Sequence, residues 1–451
     1  MDNQREVINV NFAAYREILA VGSVRRLLII AMLARIPHAA AGVLLTLHVV
    51  KSMNLSYAAA GSIAAAITIG MAIGAPWRGR MVDIYGLRKA LIPSVIAEVV
   101  VWGMAPFLNF QLLMVAAFIG GLFAVPIFSV VRQALGVMVP SEQRRTAYAL
   151  DSMGGELTFM IGPAAGVMLA TNNTVMGLII IGVSASLAGV FLMWFNPPTR
   201  TGQKGSFVAV GQPATEPVDS VEDQPVPDLR DKNVVVRWWG STRHNVRWVN
   251  IAVLAILATS LGAGLVLTGV NVGMVALMEH NNSTGDLGIV FLFWCGASIV
   301  GGIVYGALKR SVNPLWLLCA MAILIIPMGY ATNALTLGLL SILPGLLCAP
   351  VLTSSAEHIA DLVTEKRRGE AMGWYGSSMT IGNAMGAPFA GAMIDTLGPW
   401  AGFAIVGVIC TVLAILGLVA MTIWRRRGNR LLTESGQSAS GDVGLGQLLN
   451  E

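Results

Sequence analysis

Three charged side chains stand where charge is expensive. Arg35, Glu98 and Glu156 each lie inside a run of apolar residues long enough to cross a lipid bilayer. An arginine near the middle of such a run costs about 2.5–3.5 kcal/mol to insert, so each charge is expected to face protein or water and to have a partner. A carboxyl group in this setting is pulled in two directions, since burial favours the protonated acid and a nearby cation favours the carboxylate. A group balanced between them can load and release a proton. The three runs enter the bilayer from the same side, which puts the three charges at similar depths, so either Glu98 or Glu156 could partner Arg35. His38 follows Arg35 by three residues and shares nearly the same helix face, making His38 and Glu98 candidate relay residues. The plainer alternatives are a static ion pair that fixes packing and a hydrogen-bonded structural histidine.

The elements that position these groups are membrane helices. With 55% hydrophobic and 12% charged residues, and a mean hydropathy of +0.71, the 451-residue chain is too apolar for a water-soluble fold. Apolar spans fall at 27–50, 56–76, 91–108, 112–131, 149–170, 176–195, 248–276, 288–308, 315–331, 334–354, 372–393 and 401–423. The expected architecture is an all-α membrane protein of twelve transmembrane helices in two halves, 27–195 and 248–423. Segment 1–26 is expected to carry a short interfacial anchoring helix, 196–247 to be a cytoplasmic linker, and 424–451 to be a disordered cytoplasmic tail. With both ends placed inside, 27 of the 29 Lys and Arg residues fall on the cytoplasmic side, a bias that fixes orientation and makes a nucleic-acid partner unnecessary. The four cysteines lie in spans without metal-ligand spacing and read as small packing residues, and no metal or cofactor is expected. Haem chemistry would need paired histidines at matched depth, yet the two histidines in spans, His38 and His48, share one helix, which argues against a membrane enzyme. No cleavable signal or lipidation motif is read, and the first span is expected to remain in the mature protein.

The most specific pattern is a short charged hinge between the second and third spans, GRMVDIYGLRK from Gly79 to Lys89. Gly79 allows close backbone approach, Asp83 lies on the same face one turn later, and Gly86 permits a positive φ in a tight turn. Arg88 and Lys89, with Arg80, suit an anionic membrane surface. The fifth span reads GGELTFMIGPAAG, with Gly162, Pro163 and Gly166 grouped to bend the helix and let another pass closely. A shift of 220 residues lays Gly162 and Gly166 on Gly382 and Gly386, but Asn383 replaces Pro163 and no acid replaces Asp83 near Gly302–Arg310.

The hinge resembles the loop between spans two and three of the major facilitator superfamily of secondary transporters, although Ile84 stands where that family often has a basic residue. The Gly-Pro group is similar to a fifth-helix motif of the family's antiporters, with Val167 in place of a second glycine. The resemblance implies alternating access between two rocking halves, with Asp83 capping a helix of the opposite half, here the start of span eleven near Ala371–Tyr375. It makes the first and fifth helices neighbours, which favours Arg35 with Glu156 as the proton-coupling pair and Asn271 and Asn383 as polar substrate contacts. The function it implies is proton-coupled export of a small amphipathic compound by a monomer in a lipid bilayer, a bacterial plasma membrane being the expected location. An uptake symporter for a small, anionic solute is the alternative, since Arg35 could equally clamp an anion.

Overall fold

The computed structural model describes residues 13–207, 249–283, 286–308 and 310–448, apart from the side chains of 57–58, 163–164, 171–172 and 424–448. The linker from 208 to 248, including VVVRWWG at 234–240, and the side chain of Pro163 lie outside the described residues. The described chain is helical, without β-strands among those residues. After a short α1 (Ala13–Ala20), the first half comprises α2 (Gly22–Leu47), α3 (Tyr57–Tyr85), α4 (Leu87–Met104), α5 (Phe110–Phe123), α6 (Ile127–Met138), α7 (Arg144–Asn172) and α8 (Thr174–Phe195). The second comprises α9 (Ile251–His280), α10 (Leu287–Gly306), α11 (Pro314–Ile325), α12 (Ala334–Leu362), α13 (Arg368–Leu397) and α14 (Pro399–Leu448).

Helices are the only open-ended way to satisfy backbone polar groups inside lipid, which explains the uniformity. Their starts are marked by asparagine, whose side chain takes first-turn amides: Asn109 for α5, Asn173 for α8, Asn250 for α9, Asn313 for α11 and Asn333 for α12. Each such cap contributes about 1 kcal/mol. Ten helical stretches are long and apolar enough to cross a bilayer, and Pro314–Tyr330 is a shorter apolar one. The twelfth crossing is α13, 30 residues long but rich in glycine, serine and threonine.

Two features differ from the apolar spans. The crossing at 112–131 is broken between α5 and α6, where Pro126 has no N–H to continue the ladder and the Glu98 carboxylate accepts the Val125 N–H at 3.2 Å. Helix α14 runs on through Leu448 where a disordered tail was expected; no proline follows Pro399, so the backbone ladder is nowhere forced to stop. Several helices also outrun their apolar windows on one side of the membrane: α3 to Tyr85, α12 to Leu362, while α7 begins at Arg144 and α13 at Arg368. That side, with the hinge and most arginines, is called the basic side below.

The two halves repeat one contact plan. Helix α2 packs on α7 and α8 as α9 packs on α13 and α14, and α3 packs on α5 as α10 packs on α12. The glycines aligned by the 220-residue shift sit in equivalent crossings. A Cβ on Gly162 or Gly166 would strike Ala39 or Ala40 of α2, and one on Gly382 or Gly386 would strike Leu261 or Leu265 of α9. Between halves, α3 meets α13 and α10 meets α7. One buried cluster joins the halves at the basic side, bringing Leu91, Val131 and Tyr148 together with Val253, Ile359 and Tyr375. Two further clusters each belong to a single half.

Gly166→Val and Gly386→Val should each overpack a helix crossing and cost about 1–3 kcal/mol. The check is the thermal unfolding midpoint in detergent, which should fall for both and stay put for Gly42→Ala, where no atom lies within 4 Å of the added carbon.

Candidate functional site

Asp83, only 3% exposed, ends α3 and reaches across to the other half. Its Oδ1 accepts the Gly369 N–H at 3.0 Å and the Gln133 side-chain amide at 2.8 Å, and its Oδ2 accepts the Glu370 N–H at 2.8 Å. The Gly369 and Glu370 donors are first-turn amides of α13, which have no partner within their helix and carry its positive dipole end. The contact is thus slightly nearer the helix start than the expected Ala371–Tyr375. Gly79, one turn before Asp83, lies against the Gly369 carbonyl so closely that any Cβ would collide, and Gly373 meets Ala75 in the same way. Gly86 has φ 79° and turns α3 directly into α4, Arg88 donates to the Met193 carbonyl at 3.2 Å, and Lys89 is exposed. Around this lock Arg80 pairs with Glu370 at 2.5 Å, Arg145 grips Glu357 through Nε and Nη2 at 2.9 and 2.8 Å, and Arg144 faces Asp361 at 3.5 Å.

Deeper in, two guanidiniums share one carboxylate. Arg35 Nη2 meets Asp151 Oδ1 at 2.7 Å and Arg132 Nε meets Asp151 Oδ2 at 3.1 Å, all three groups being buried. Arg35 lies over the Phe128 ring at 4.0 Å and Arg132 over the Tyr375 ring of the opposite half at 5.1 Å. Aromatic faces take up part of the positive charge that Asp151 cannot match. Arg35 Nε has no partner among the described residues. This corrects the expected pair of Arg35 with Glu156. Side chains of a helix lean toward its N-terminus, and α2 starts at the basic side, so Arg35 reaches down to Asp151. Glu156 stands five residues further along α7, about 7.5 Å deeper.

Glu156, 7% exposed, instead bridges the halves. Its Oε1 accepts from Ser298 Oγ of α10 and from Cys348 Sγ of α12, both at 3.2 Å. Cys348 is therefore a donor to a carboxylate as well as a packing residue. Among the described residues, the polar contacts between halves run from the basic side to the level of Glu156, and α2 and α9 pack within their own halves.

His38 and Glu98 form a separate pair inside the first half, Nε2 to Oε1 at 2.8 Å. His38 Nδ1 faces the Ala34 carbonyl at 3.1 Å, which can only accept, so Nδ1 carries a hydrogen. The Nε2···Oε1 contact then holds a second proton on one atom or the other, the arrangement a relay needs. Asn383 Oδ1 accepts from Thr268 at 3.3 Å within the α9–α13 crossing, whereas Asn271 is exposed on α9, so the two are not brought together. Among the described residues no group of three or more His, Cys, Asp or Glu side chains is placed to hold a metal ion.

The sequence reading did not single out Arg132, Gln133 or Ser298, took Cys348 for a packing residue, and gave Asp151, near the cytoplasmic end of its span, solvation or a gate salt bridge. Arg132 falls just past the apolar run at 112–131 and Asp151 at the very start of that at 149–170, so both looked like residues of a helix end, whereas α6 and α7 bury them. The signal available was Arg132–Gln133 directly after an apolar run, with Asp151 nineteen residues on.

The family model described as Major Facilitator Superfamily matches residues 27–332 and 254–446. The chain belongs to the major facilitator superfamily. It is a multi-pass membrane transporter with the twelve-helix fold of that family, and not an enzyme. No curated protein matches it by sequence. Among solved structures it is similar to the human organic anion transporter MFSD10 (TETRAN), at 17% identity and TM-score 0.59 over 87% of this chain and 99% of that one. It is similar to the E. coli fucose:proton symporter FucP, at 13% identity and TM-score 0.59 over 88% and 98%. The proton:xylose symporter XylE, bound to 6-bromo-6-deoxy-D-glucose, is similar at 13% identity and TM-score 0.60 over 89% and 95%. At such identities the likeness carries the superfamily fold alone.

Two variants separate the layers of this transporter's gate. Asp83→Asn keeps the Gln133 and amide contacts sterically but removes the charge at the helix end, and should raise maleimide labelling of basic-side cysteines several-fold. Asp151→Asn leaves two buried guanidiniums uncompensated and should cost about 3–5 kcal/mol, read as a large fall in the unfolding midpoint. An unchanged midpoint would show that Arg35 and Arg132 find other partners.

Proposed function

We propose that the protein exports a small amphipathic compound in exchange for protons, by alternating access of the halves 27–195 and 248–423 about a site at the level of Glu156. The observation that carries this is Glu156 itself, a buried carboxylate that joins the two halves through neutral donors. A carboxyl group held by a guanidinium resists protonation strongly, whereas a neutral hydroxyl and thiol favour the carboxylate less than a cation does. Glu156 is the proton carrier in this reading. Arg35 modulates it through Asp151, about 7.5 Å away along α7, and His38 with Glu98 supply a relay.

Support for an amphipathic cargo comes from α9, where Asn271 lies exposed between Leu267 and Val275 on one face, a single amide on an apolar stripe. Under the positive-inside rule the basic side is cytoplasmic, both ends of the chain are cytoplasmic, and the contacts described above seal the cytoplasmic side. A bacterial plasma membrane and a working monomer complete the proposal, with 196–247 linking the moving halves. The second reading, uptake of a small anion with protons, is favoured by the two guanidiniums on one carboxylate, since Arg35 Nε is left for another acceptor.

The test uses acid-loaded inside-out vesicles containing the protein, with ethidium as the amphipathic probe. Addition of ethidium should release protons, and Glu156→Gln should abolish that release while leaving dye binding within about twofold. Entry of protons together with the dye would overturn exchange in favour of symport. Full proton-driven transport by Glu156→Gln would remove Glu156 from the carrier role.

A further inference from the structure

The second half carries a reduced copy of the hinge. Gly302 and Gly306 of α10 are spaced as Gly79 and Asp83 are in α3, and Lys309–Arg310 follow as Arg88–Lys89 do. In the contact plan α10 meets α7 as α3 meets α13, so the copy lies at the equivalent joint between halves. Its acid is missing, and Gly306 offers no side chain to replace Asp83.

The vacated position is filled from elsewhere in the chain. A Cβ on Gly306 would collide with the Tyr15 hydroxyl of α1 and approach the Ala149 methyl within 2.6 Å. The Tyr15 hydroxyl lies 3.1 Å from the Gly302 carbonyl and 2.8 Å from that of Ile303, two backbone acceptors that share its one proton. Beside it Thr146 Oγ1 donates to the Gly306 carbonyl at 2.5 Å and Arg145 Nη1 to the Leu308 carbonyl at 2.6 Å. Polarity is reversed relative to the Asp83 joint. There a side-chain acceptor takes amides at a helix start; here side-chain donors take carbonyls at a helix end.

Helix α1 itself belongs to the first half. Ile18 is fully buried in the cluster at the basic side, and Gln143, just before α7, donates to Glu17 Oε2 at 2.8 Å. Beyond the expected anchoring, its one aromatic hydroxyl crosses to the other half.

We infer that Tyr15 is a gate residue, a pin carried by α1 that takes the place of the missing acid in α10 and must withdraw each time the halves part on the basic side. The inference rests on the alternating-access reading above. Withdrawal costs the hydrogen bond to α10, so Tyr15 holds the population toward the state sealed on the basic side. Removing the hydroxyl while keeping the ring should raise the ratio of basic-side-open to sealed protein about two- to tenfold, the factor one neutral hydrogen bond commands.

The experiment uses the full chain with Cys295, Cys319 and Cys410 replaced by alanine and Cys348 by serine, which preserves a donor to Glu156. One reporter is Ala356→Cys, buried in the basic-side cluster. The other is Val275→Cys, exposed on α9 near its far end. Tyr15→Phe should speed maleimide labelling at the first about two- to tenfold, in line with one lost hydrogen bond, and slow it at the second. General loosening would instead speed both and would overturn the inference. Asp83→Asn runs in parallel: if it opens the basic side and Tyr15→Phe does not, the pin is refuted and alternating access stands. If neither moves either reporter, the locked gate and the pin fall together.

Discussion

A helix buried in lipid satisfies its own backbone and leaves little with which to bind a neighbour. What remains are the amides of its first turn and the carbonyls of its last. The joint between the two halves is built on those remnants. Asp83 takes two starting amides of α13, Thr146 takes the Gly306 carbonyl at the end of α10, and Arg145 takes that of Leu308 just beyond it. Helix ends lie at the membrane surface, so strong polar joints between rocking halves have to lie there too. Further in, the links need a side chain on at least one partner, as in Ser377 donating to the Ala72 carbonyl at 2.6 Å and in Glu156 with Ser298 and Cys348.

The halves share geometry and divide chemistry. Small residues recur at equivalent crossings because close helix approach is demanded by the fold in both, as at Gly162 and Gly166 and at Gly382 and Gly386. Charge does not recur. Arg35, Glu98, Asp151 and Glu156 all lie in the first half, whereas the matching interior of the second offers Ser298, Cys348 and Asn383. A titrating group needs a reference surface that does not itself titrate, and neutral donors supply one.

Much of the fold was legible because its causes are local. Apolar run length, the one-sided arginines and the glycine spacing of the hinge each follow from a constraint acting on a few consecutive residues. The site was legible only in part, for the same reason. Asp83 could be placed because the resemblance implied a helix of the opposite half as its target, and a helix start suits an anion. The partner of Arg35 could not, since choosing between Asp151 and Glu156 depends on where α2 and α7 begin and on which way a long side chain leans. Tyr15 was beyond reach altogether: nothing in an eight-residue amphipathic stretch signals that its hydroxyl bonds α10, almost 290 residues later. Gln133 is a similar case, its side-chain amide reaching from α6 to Asp83 of α3, fifty residues earlier.

The layers differ in strength, and that difference gives the proposed cycle its direction. Hydrogen bonds with an ionised partner are roughly twice as strong as neutral ones. On the basic side Arg145 holds the Glu357 carboxylate through two nitrogens of a guanidinium, a charge-assisted pair. At Glu156 the donors are neutral, so protonation turns the only charged member of that joint into an ordinary one and weakens a deep part of the seal. Among the described residues Glu156 is also one of the deepest polar contacts between the halves. A proton arriving from the far side therefore acts deep in the seal, loosening it from within while the surface locks still hold. On the proposed cycle that proton is released once the basic side opens, and the cargo leaves on the return. On this reading the joint at Glu156 is the one the proposed cycle switches, and the guanidinium pair of Arg145 with Glu357 is the one that yields last.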